Sequence, residues 1–126
     1  MMQNFQEWIT QADYDYETAK YMAQGQRYIY AVFMCHLAIE KILKGMITRL
    51  IKEQPPRTHS LIQLANKAQI NPPENIGKFL VFLDQASIPT RYPENLHKLQ
   101  AIYSEEKTLQ IINNTQDVLE WIKQTF

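Results

Sequence analysis

The chain has 126 residues, 45% hydrophobic and 21% charged, which suits one globular domain spanning residues 1–126, long enough to bury a core but too short to divide into two. Its 13 Lys and Arg balance 13 Asp and Glu, which argues against bulk electrostatic binding to nucleic acid, since that needs many uncompensated cations, and leaves a local basic patch open. The one cysteine, Cys35, has no partner for an internal disulfide and no Cys/His cluster has zinc-ligand spacing, so the expectation is a reducing compartment, no metal and no cofactor. The opening "MMQNFQEWITQADYDYE" mixes acidic and polar residues where a signal peptide needs an apolar run, and no stretch approaches a membrane span, so a cytoplasmic protein is expected.

With three glycines and apolar residues spaced by three and four, the period-2 signal of strands is nearly absent and an all-α fold of about five helices follows. Phe5, Trp8, Ala12, Asp15, Ala19 and Met22 predict a first helix over residues 3–24, stopped at Gly25. A second is predicted from Arg27 to Glu53, ended by Pro55 and Pro56. Its stripe Ala31, Cys35, Ala38, Ile42 and Gly45 lets another backbone approach closely, so the two helices should form an antiparallel hairpin. Thr58 is placed as the cap of a short helix through "HSLIQLANKAQ", with Leu61, Leu64, Ala65 and Ala68 on one face. In "NPPE", Asn71 reads as an N-cap, Pro72 as the first helical residue and Glu74 as the partner in a capping box, beginning a helix that runs to Ser87. Pro89 and Pro93 bracket "TRYPENLH", residues 90–97, and forbid a continuous helix through it, with a short helix restarting at Pro93. Ser104, followed by Glu105 and Glu106, caps the last helix, whose Leu109, Ile112, Thr115, Leu119 and Ile122 face the core.

Several polar residues carry a structural reading beside a functional one. Asp15 should pair with a basic residue of the second helix. His36 and Glu40, four apart, read as a structural polar pair, with an inter-helix or dimer contact as the alternative, and Glu40 with Lys44 reads as an ion pair that solvates a face. Arg57 and His59 flank a helix start outside any site, and Tyr14, Tyr21, Tyr28, Tyr30 and Phe33 read as core and interface packing rather than a base-stacking platform. In "TRYPENLH", an unbroken helix would turn Arg91 and His97 about 240° apart. The break at Tyr92–Pro93 permits Arg91 to lean over the N-terminus of a new helix toward His97; the alternative is that Arg91 and Tyr92 organise the loop while His97 sits in solvent.

Together these segments resemble the HEPN family, named for higher eukaryotes and prokaryotes nucleotide-binding. The resemblance is carried by "WITQADYDYETA", "YIYAVFMCHLAIEKILKGMI" with its Ala-x-Glu-Lys-x-Leu-Lys core at Ala38 to Lys44, "THSLIQL", "TRYPEN" and a closing "VLEWI". It implies an up-and-down helical bundle, commonly a homodimer, often encoded beside a minimal nucleotidyltransferase in toxin–antitoxin-like pairs. Many members are metal-independent RNases with an arginine and a histidine separated by four to six residues, which Arg91 and His97 match. The resemblance then implies His97 as general acid or base and Arg91 as the stabiliser of phosphate charge. Nuclease members carry a polar residue directly after the arginine and often a tyrosine two after the histidine, where this chain has Tyr92 and Leu99. The first expectation is therefore a nucleotide- or nucleic-acid-binding protein, acting with a minimal nucleotidyltransferase and contacting its ligand through Arg91, Tyr92, Lys41 and Lys44. A metal-independent endoribonuclease toxin using Arg91 and His97 is the alternative, and a non-catalytic helical assembly protein the second alternative.

Overall fold

In the computed structural model, which describes residues 3–126, every regular element is helical. Asn4 accepts a hydrogen bond from the Glu7 N–H and opens α1 (Phe5–Gln24), as short polar side chains do at an N-cap. The helix stops at Gly25, but the left-handed residue of the turn is Gln26, with φ 63°. Arg27 N–H closes the turn on Met22 O at 2.8 Å, and α2 (Tyr28–Met46) runs back along α1.

The hairpin is drawn tight where Gly45, near the end of α2, meets Trp8, near the start of α1. A Cβ on Gly45 would lie 2.9 Å from Trp8 Cβ, so the absence of a side chain is what permits the approach. α2 touches every other α-helix, and its apolar surface is correspondingly broad, from Ile29 and Val32 to Ile42, Leu43 and Met46. It does not reach Glu53. A π-helical turn, Ile47–Ile51, follows it, and Lys52 at φ 62° ends the helix ahead of the prolines. The wider turn keeps Ile47 buried and packs Ile51 against the core.

Further boundaries differ from those predicted. α3 (Leu61–Lys67) is capped by Ser60 rather than Thr58, whose hydroxyl instead accepts from Ser60 N–H and donates to Gln63 Oε1. α4 (Glu74–Arg91) starts after Pro73 with no side-chain cap, so the capping box at Asn71 does not form; each proline holds the residue before it extended and moves the helix start downstream. α4 also continues through Pro89, where the expectation was a stop near Ser87. The carbonyl left without a partner belongs to exposed Gln85, and the hydroxyls of Ser87 and Thr90 bond neighbouring carbonyls of the same turn. The break falls at Tyr92, the residue before Pro93.

α5 (Leu96–Ile102) begins on an Asn95 cap rather than at Pro93, and α6 (Glu105–Thr125) begins on Ser104, as expected. Six α-helices result among the described residues, against the expectation of about five. On α6 the buried row is Thr108, Ile111, Ile112, Thr115, Val118, Leu119 and Ile122, while Leu109 is 46% exposed. Among the aromatic residues expected to pack, Tyr14, Tyr21 and Tyr30 are exposed, whereas Tyr28 and Phe33 are half-buried. Among the described residues no helix is long and apolar enough to cross a membrane.

Gly45→Ala should lower stability by about 1–3 kcal/mol, because overpacking exceeds the gain in helix propensity of roughly 1 kcal/mol. A lower urea midpoint at unchanged slope is the expected observation; an unchanged or higher midpoint would contradict the close approach to Trp8.

Candidate functional site

A chain of polar groups, buried at His36 and Glu40 and reaching exposed His59, runs between α2, α3 and α4. Asp84 lies one turn beyond buried Leu80, and its carboxylate accepts four hydrogen bonds: Leu61 N–H at 2.8 Å, Ile62 N–H, Ser60 Oγ and His36 Nε2, the last three at 3.2 Å. Burial alone would raise the Asp84 pKa, but the bonds from His36, Leu61 and Ile62 outweigh it and hold the carboxyl below its usual value. An ionised carboxylate only accepts, so the His36 proton sits on Nε2. His36 Nδ1 has no hydrogen-bond partner among the described residues and lies 3.8 Å from Glu40 Oε1. His36 is therefore an inter-helix ligand of Asp84 rather than a close partner of Glu40.

Glu40, only 3% exposed, accepts from Lys44 Nζ at 3.0 Å and from His59 Nδ1 at 3.1 Å. Two expectations change here. In the Glu40–Lys44 pair Glu40 is buried and Lys44 half-buried rather than solvating a face, and His59 joins this cluster instead of merely flanking a helix start. Asp15, also buried, pairs with Lys41 Nζ at 2.8 Å across α1 and α2, as expected. Asp84 and Ser60 were not singled out from the sequence. The available signal was an acid one turn after Leu80 in the apolar run "FLVFLD", residues 79–84, where a lone carboxylate on the buried face requires donors from elsewhere.

The residues of "TRYPENLH" lie apart from that network. Arg91 is the last residue of α4, and its guanidinium carbon sits 4.7 Å from the centroid of the Phe33 ring on α2. Its Nη2 is buried without a hydrogen-bond partner, and Arg91 forms no ion pair among the described residues. Arg91 thus leans on α2; the N-terminus of α5 is capped by Asn95, whose Oδ1 accepts from Lys98 N–H. Tyr92 is 69% exposed. His97 is exposed in the first turn of α5, with no hydrogen bond to a described residue.

Lys41 and Lys44 lie roughly 12 and 17 Å along α2 from Phe33, each held by an internal carboxylate. The structure brings Arg91 together with Phe33 and leaves both lysines in other ion pairs. Burial pushes the Cys35 thiol up to about 12, so it stays protonated and is no nucleophile at neutral pH. Among the described residues no three His, Cys, Asp or Glu side chains are arranged to hold a metal ion.

Asp84→Ala should cost about 2–3 kcal/mol, from loss of the α3 cap and of the His36 partner. Because the folded-state pKa of Asp84 is depressed, its contribution is present above the unfolded pKa of about 3.9 and is lost as pH falls through the lower folded value. Acid titration of urea stability should therefore be shallower below about pH 4 in Asp84→Asn than in the wild type; parallel acid limbs would contradict the assignment.

The sequence matches the HEPN domain family over residues 5–125. The crystal structure of ST0689, an archaeal HEPN homologue, is 32% identical, with a TM-score of 0.80 and 98% of each chain covered. That of TT1696 from Thermus thermophilus is 24% identical, with a TM-score of 0.82, 97% of this chain and 98% of that chain being covered, and shows the same fold. No curated protein matches significantly. A helical bundle of this form, matched from α1 to α6 and 32% identical to an archaeal HEPN homologue, makes the chain a member of the HEPN domain family.

Proposed function

We propose that this HEPN protein binds a nucleotide or nucleic acid, with Arg91 as its phosphate contact. The observation that carries this reading is the state of the Arg91 guanidinium, seated on Phe33 with a buried nitrogen that has no acceptor. An arginine held in place on an aromatic ring and lacking a carboxylate offers a planar set of donors to a phosphate at little ordering cost. Tyr92, the next residue and exposed, is the second ligand contact in this reading. Lys41 and Lys44 would have to leave Asp15 and Glu40 to contribute, so they rank below Arg91 as ligand contacts. The family resemblance adds a homodimer and a minimal nucleotidyltransferase partner, in a toxin–antitoxin-like pair, to this proposal.

The second reading is a metal-independent endoribonuclease. It is favoured by the exposure of His97 at the opening of α5, across one break from Arg91 at the close of α4. A general acid or base at His97 would need its ring oriented by substrate or by a second protomer, since no described residue bonds it.

Titration with nucleotides and single-stranded RNA tests the binding reading. Arg91→Ala should weaken binding about tenfold or more, the scale of a lost charge-assisted hydrogen bond. Equal affinity, or no binding by the wild type, would overturn it. RNA decay compared between wild type and His97→Ala tests the second reading, and equal negligible cleavage would end it.

A further inference from the structure

Between the first turn of α2 and α5 lies an opening of about 370 Å³, within the roughly 300–1,000 Å³ of small-molecule pockets. Leu96, Gln100 and Tyr103, at positions i, i+4 and i+7, bring one face of α5 and the residue after it to this opening, and Arg27, Tyr28 and Tyr30 come from the start of α2. Three phenol rings, amide groups and an arginine therefore border one small space, and no lining residue is acidic. Arg27 forms no ion pair among the described residues. This chemistry suits a planar heteroaromatic ring on an anionic molecule: ring faces for stacking, amides for the ring's polar edge, and positive charge without a competing carboxylate.

Arg91 does not line the opening but is connected to it along α2. Ile29 lines it, and Phe33, which carries the Arg91 guanidinium, is four residues further along α2. Residues four apart share a helix face and differ by about 6 Å along the axis. One turn of α2, a rise comparable to the span from a nucleobase to its own phosphate, thus lies between the residue that lines the opening and the one that seats Arg91.

We propose that this opening is a base-binding subsite for a single nucleotide unit, with the base against the α2 tyrosines and the phosphate on Arg91. The inference rests on Arg91 being the phosphate contact and adds the position of the base. The nucleotide unit has two sources, a free mononucleotide or the 5′ end of an RNA chain. Leu96 stands at the rim and is 51% exposed, so Leu96→Trp obstructs the opening without altering the buried core.

Calorimetric titration of the full chain with 5′-AMP, adenosine, inorganic phosphate and a 5′-phosphorylated oligoadenylate separates the two contacts, with thermal melts confirming that each variant folds. The wild type should bind AMP more tightly than adenosine or phosphate. Leu96→Trp should weaken AMP and adenosine about tenfold or more and leave phosphate unchanged. Arg91→Ala should weaken AMP and phosphate and spare adenosine. AMP affinity unchanged in Leu96→Trp but reduced in Arg91→Ala overturns the base subsite and leaves the Arg91 contact standing. The reverse pattern keeps the subsite and overturns the Arg91 contact, and a wild type that binds neither AMP nor oligoadenylate overturns both. Tighter binding of the oligoadenylate assigns the subsite to an RNA end, and equal binding to a free mononucleotide; both keep the proposal.

Discussion

The Asp84 carboxylate belongs to α4, yet its hydrogen-bond donors come from α2 and from the first turn of α3. A negative charge in this position is tolerable only because donors from both elements reach it together. Shifting α3, turning α2 about its axis or sliding α4 would each leave part of that charge without a partner. Glu40 imposes a similar demand one turn further along α2, where His59 holds the segment before α3 and Lys44 supplies a cation. Apolar burial supplies the driving force for the bundle, and these two carboxylates restrict how the helices can be arranged once they collapse.

That restriction bears directly on Arg91. α4 is fixed against α2 at Asp84 and His36, and two turns later Arg91 comes to rest on Phe33. The buried acids Asp15 and Glu40 have cations of their own in Lys41 and Lys44. Arg91 is left with a donor to spare beside the break at Tyr92. The same break starts α5, and so places His97 and the α5 wall of the tyrosine-lined opening near the end of α4.

The helices themselves were largely legible in the sequence, because three-and-four spacing and polar caps are local signals. Ser104 and the small-residue stripe through Gly45 behave as their chemistry predicts. Errors arose where a boundary depends on distant groups or on the placement of a single turn. Thr58 and Ser60 are equally good caps in isolation, and it is Asp84, more than twenty residues away, that accepts from Ser60 and the first N–H groups of α3. Pro89 normally marks a helix end, but the carbonyl it leaves unpaired belongs to exposed Gln85 and the helix runs on. Leu109 is apolar but one position out of phase with the buried row of α6, where Thr108 takes the core place.

The polar network was less legible than the bundle. His36, Glu40 and Lys44 could be paired along one helix from their spacing, but nothing local indicates that His59 would join Glu40 or that Asp84 would draw the His36 ring. Arg91 was found through its motif, while its seat on Phe33 depends on the packing of α4 against α2. A crystal structure with 5′-AMP bound would test the account most directly. The expected result is a phosphate within hydrogen-bond distance of the Arg91 guanidinium, with the Asp15–Lys41 and Glu40–Lys44 pairs intact; a phosphate held by Lys41 or Lys44, with Arg91 still on Phe33 and unbonded, would contradict the role given to Arg91.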